Sequence, residues 1–100
     1  MITHLVFFKM LPQAEDASAA ENTTIIVNLL KELTSKIPEL EYLRAGPDFS
    51  GTPASYDVGL ITQFKSKEAL EIYRAHPEHQ KVVEVILKVT SARAVVDFES

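Results

Sequence analysis

The chain has 100 residues, 46% of them hydrophobic, which is enough for one small core but short enough that pairing with a second copy is a natural route to further burial. Fourteen acidic residues against ten basic ones leave a formal net charge of -4, which argues against partners held by excess positive charge, namely nucleic acid and anionic membranes. With no cysteine, disulfides, thiolate metal sites and cysteine nucleophiles are excluded, and the composition fits a reducing compartment.

His4 and Lys9 interrupt the apolar stretch behind Met1, so no signal peptide is predicted there. No run reaches the ~18 apolar residues a membrane span needs. The expectation is a soluble, cytoplasmic protein with a single domain over residues 1–100.

Residues 2–10 are rich in β-branched and aromatic side chains and predict a strand, with His4, Val6 and Phe8 on one side and Leu5 and Phe7 on the other. Pro12 signals a turn, and the acidic pair Glu15 and Asp16 suits a helix N-terminus. Ile26, Leu29, Leu30, Leu33 and Ile37 then recur at helical spacing, and Pro38 ends that helix. Residues 40–45 read as a second strand. The turn formers over 46–53 read as a long hairpin loop, and residues 56–64 as a strand with Tyr56, Val58, Leu60, Thr62 and Phe64 on one face.

Ser66 is placed to cap a short helix through Ala75. Pro77 suits the first position of the next helix, which Val82, Val85, Ile86 and Val89 carry onward. Residues 93–98 close the chain as a strand. The order strand, helix, strand, strand, helix, strand predicts an α+β, ferredoxin-like βαββαβ subunit with both helices on one face of a four-stranded antiparallel sheet. If His4, Val6, Leu60 and Val96 face the helices, Leu5, Phe7, Ile61 and Val95 form an apolar patch on the opposite face, so a homodimer joined through sheet faces is expected.

The chemistry-bearing residues concentrate in Tyr73-Arg74-Ala75-His76-Pro77-Glu78-His79, a phenol and two of the three imidazoles across a helix break. His79 falls at about the third position of the helix opened by Pro77. The unpaired N–H groups there disfavour a protonated ring, which predicts a neutral imidazole able to act as a general base, although the adjacent Glu78 opposes this. His76 stands where an N-cap belongs. Tyr73 shares the sheet-facing side of its helix with Leu70, and a buried tyrosine hydroxyl needs a partner. His4 points into the gap between sheet and helices, beside Val6, Phe8 and Leu60. With His76, these residues either pack the core and close the helix junction or line a ligand cleft.

His76 and His79 lack the i, i+4 spacing of a helical metal pair, and the chain has no phosphate-cradling glycine loop, no nucleophile elbow and no dinucleotide fingerprint. No metal and no cofactor is expected.

The opening Ile2-Thr3-His4-Leu5-Val6-Phe7-Phe8-Lys9, the helix end Lys36-Ile37-Pro38, the strand Asp57-Val58-Gly59-Leu60, the run from Tyr73 to His79 and the closing Val96-Asp97-Phe98 together resemble the stress-responsive A/B barrel, or Dabb, domain over nearly the whole chain. The resemblance implies a dimeric α+β barrel of two ferredoxin-like subunits. Within that family a plant polyketide cyclase uses a histidine as general base and a tyrosine to hold its substrate. Those positions fall on His79 and Tyr73, with His4 in a supporting place. The cyclase's aromatic pocket positions on the first helix fall on Ile26, Val27 and Leu30. Three functional readings follow: a cleft for an apolar, carbonyl-bearing small molecule without settled turnover, a cofactor-independent lyase or cyclase, and a non-catalytic structural stress protein.

Overall fold

The alternating pattern at the start of the chain forms β1 (Ile2–Met10), in which Val6, Phe8 and Met10 are buried while Leu5, Phe7 and Lys9 between them are half-buried. The computed structural model describes residues 1–100. After Pro12 comes a miniature hairpin, β2 (Gln13–Ala14) and β3 (Ala17–Ser18). Its two loop residues, Glu15 and Asp16, have φ of 51° and 60°, the left-handed pair that a two-residue hairpin turn demands. This corrects the assignment of the acidic pair to a helix start. α1 (Ala19–Glu32) begins instead after Ser18, whose hydroxyl accepts from the Glu21 N–H while the Glu21 carboxylate accepts from the Ser18 N–H. A short 3-10 turn, Leu33–Ser35, follows it toward Pro38.

β4 (Tyr42–Pro47) includes Gly46 and Pro47, so the connection to β5 (Val58–Phe64) spans residues 48–57 rather than 46–53. Pro47 is tolerated because β4 is an edge strand. Ser66 caps α2 (Lys67–Ala75) by accepting from the Ala69 N–H at 3.1 Å. His76 alone separates α2 from α3 (Pro77–Val89), and β6 (Thr90–Glu99) completes the sheet.

The four long strands pair antiparallel in the order β4-β5-β1-β6. With the helices on one face this is the expected ferredoxin-like α+β fold. The core lies between that face and the helices, from Ile26, Leu30 and Leu33 across to Val58, Leu60 and Phe64. None of the helices is long and apolar enough to cross a membrane.

One strand faces the other way from expectation. Val6 pairs with Val95 and Leu5 with Val96, and residues directly opposite in an antiparallel pair share a face. Val95 therefore lies on the helix side and Val96 on the outer side. The outer face still presents Leu5, Phe7, Ile61, Val96 and Phe98, with Val96 52% and Phe98 43% exposed in the single chain.

Candidate functional site

The junction of α2 and α3 is held together by its own polar groups. His76 closes α2 by donating its backbone N–H to the Tyr73 carbonyl at 3.2 Å, and its Nδ1 accepts from the Glu78 N–H at 3.1 Å, which makes it the N-cap of α3. The Arg74 carbonyl, left without a helical partner at the end of α2, accepts from His79 Nδ1 at 3.1 Å and from Gln80 Nε2 at 2.6 Å. A carbonyl only accepts, so Nδ1 carries the proton and Nε2 of the neutral ring is free to accept one. Tyr73 packs against this imidazole with ring centres 4.3 Å apart and the planes tilted by 43°, and Phe64 packs behind it at 5.0 Å.

A second chain of contacts reaches the same place from the sheet. His4 Nδ1 donates to Asp97 across the β1–β6 pair. The other carboxylate oxygen of Asp97 accepts from Arg74 Nη2 at 2.5 Å, and Arg74 Nη1 donates to Glu71 at 2.8 Å. Burial alone would raise the Asp97 pKa, but hydrogen bonds and charge from His4 and Arg74 hold it below the ordinary carboxylate range. Asp97 and Arg74 were not among the sequence candidates. The register of β6 reveals them, because it puts Asp97 opposite His4 on the helix side.

Between α3 and the β6 side of the sheet lies a cleft of about 370 Å³. Its floor is His4, Val6 and Phe8 of β1 with Leu60 of β5, and Leu30 of α1 closes one side. Val82, Val83 and Ile86 of α3 form the roof, with His79 and Gln80 at one end. Val95 and Arg93 stand on the β6 side. Val95 remains 48% exposed although it faces the helices, because the roof stands off this strand.

The structure thus gathers His79, His4, Val6, Phe8, Leu30 and Leu60 around one space. Three other candidates lie elsewhere. Ile26 is sealed in the core, His76 is spent on capping, and Tyr73 sits behind His79 with 0% of its surface exposed. The Tyr73 hydroxyl has no hydrogen-bond partner, and burial pushes its pKa well above the usual phenol range. No three histidine or carboxylate side chains converge closely enough to hold a metal ion.

Burial lowers the His79 pKa below 6.5, the Arg74 carbonyl opposes that, and charge interactions with His4, Arg74 and His76 add to the lowering. The direction matches the neutral ring expected from the sequence, with burial rather than the helix terminus as the leading cause. The unfolded chain therefore binds more protons at this position between the two pKa values, so stability from a neutral His79 is complete above pH 6.5 and is lost as pH falls through the folded value. Melting curves on either side of that window should show a smaller acid-side loss for His79→Gln than for the parent. An equal loss in both would assign the pH dependence to other groups.

Residues 2–100 match the family described as the stress responsive A/B barrel domain. The chain belongs to the Dabb family. An uncharacterized protein of Streptomyces coelicolor is 26% identical over 101 residues, with 99% of each chain covered. A dimeric ferredoxin-like protein of unknown function from Jannaschia sp. is 28% identical, with 99% of this chain and 98% of that one covered and a TM-score of 0.78. A hydroxynitrile lyase from Passiflora edulis has the same fold, with a TM-score of 0.81 over 97% of this chain and 90% of that one, at 14% identity. In this Dabb chain the conspicuous Tyr73–His79 run does two jobs: it closes one helix onto the next, and it sets one imidazole in the lining of the cleft.

Proposed function

We propose that this chain is one Dabb domain over residues 1–100 that pairs with a second copy through the outer sheet faces and holds an apolar, carbonyl-bearing small molecule in the cleft beneath α3. The observation that carries this reading is the orientation of His79: Nδ1 is bound to the Arg74 carbonyl, the ring lines an apolar cleft, and burial favours its neutral form. Pairing is supported by the apolar outer face and by similar proteins described as dimeric.

A neutral imidazole beside a bound ketone supports one reaction type without a cofactor. Nε2 takes a proton from the carbon next to the carbonyl, and the C–H electron pair moves to make an enolate with its charge on oxygen. Tyr73 supports this as a positioning residue, since its ring packs on His79 and is sealed from the cleft.

Benzoylacetone, an apolar diketone with an acidic carbon, is a suitable probe. The protein is expected to bind it and to speed deuterium exchange at its central carbon over the buffer rate. His79→Ala should lose about 100-fold or more of that acceleration, the range of general-base contributions. Binding with no faster exchange would leave a binding protein and remove the proton transfer. No binding would overturn both.

A further inference from the structure

The acid–base balance of the cleft is opposite to that of the chain. Fourteen acidic residues outnumber ten basic ones overall, yet the cleft lining contains two arginines, two histidines and no carboxylate. The two arginines differ in their partners. Arg74 is neutralised by Asp97 and Glu71, and Asp97 is also engaged by His4, so neither charge is left for a ligand. Arg93 forms no ion pair, although it projects from β6 on the helix side, two residues from Val95 and opposite Phe8.

A cation at the rim of an apolar cleft with no protein anion beside it favours a ligand that brings its own. We infer that the ligand of this cleft is a carboxylic acid, with its carboxylate on Arg93 and its apolar body under α3. The inference rests on the small-molecule reading above and narrows it from any carbonyl compound to a keto acid or aryl acid. One guanidinium fork matches the two oxygens of a single carboxylate. A phosphate dianion would call for a second cation, and the charge of Arg74 is already paired with Glu71 and Asp97.

The test compares benzoylpropionic acid with its methyl ester, which keeps the aryl ketone and removes the charge. Calorimetry should show the acid bound about fivefold more tightly, the scale of one solvent-exposed ion pair, with the advantage shrinking as salt is raised. Arg93→Gln should abolish the preference, so that acid and ester bind the variant equally. Arg93 is exposed and unpaired, so the variant should melt with the parent. Equal binding of acid and ester by the parent, or a preference that survives Arg93→Gln, would overturn the inference while the cleft reading stands. Binding of neither would overturn the cleft reading, and this inference with it.

Discussion

Tyr73→Phe is expected to melt at or above the temperature of the parent, while Tyr73→Ala should lose about 3–5 kcal/mol of stability, the usual cost of emptying an aromatic site in a core. The two substitutions separate the ring from its hydroxyl. The ring is fully buried between Phe64 and His79, so its removal leaves a cavity and takes away the surface against which the imidazole packs. The hydroxyl is buried with no partner, which costs about 1–3 kcal/mol of lost hydration, and deleting it recovers part of that. Small domains are stable by only about 5–15 kcal/mol, so the alanine variant should unfold at markedly lower denaturant concentration. A large loss in Tyr73→Phe would show that the hydroxyl is engaged in the native protein. Exchange of benzoylacetone should survive Tyr73→Phe, as expected of a positioning ring.

Ile61→Lys should convert a dimer into monomers, with a dissociation constant raised about 1,000-fold or more. Ile61 pairs with Leu5 on the two central strands, in the middle of the outer apolar face. Every 100 Å² of apolar surface removed there from water contributes about 2.5 kcal/mol. In the proposed dimer a lysine at that point buries an unpaired ammonium, and a two-fold axis places two of them in one interface. Each uncompensated charge costs about 2–5 kcal/mol, which sets the expected change. Sedimentation velocity measures it directly. Ile72→Lys, on the exposed side of α2, should remain dimeric. A dimer that survives Ile61→Lys would move the pairing surface off this face.

The fold was legible in the sequence because its strongest signals are local. Pro77 marks a helix start, Ser66 marks a cap, and the alternation around Leu60 marks a strand buried on one face. The start of α1 was legible too, in Ser18 and Glu21 at capping-box spacing, but the acidic pair Glu15 and Asp16 drew attention to a place where the chain makes a left-handed turn. Strand β6 was harder. Val95 and Val96 are both about half exposed in the single chain, so alternation alone does not say which of them faces the helices. Register decides that, and register is a long-range property. The same limit hid Asp97 and Arg74 from the site. It also hid the partner that orients His79, because the Arg74 carbonyl is backbone and carries no sequence signal.

Nitrogen NMR of the histidine rings with and without benzoylacetone tests most directly whether a neutral His79 turns its Nε2 toward a bound ligand. The predicted result is an Nδ1-protonated neutral ring titrating below 6.5, whose Nε2 resonance moves as the diketone saturates the protein while that of the capping His76 stays in place. A His79 ring that titrates at or above 6.5, or one whose Nε2 resonance is unmoved at saturation, would contradict it.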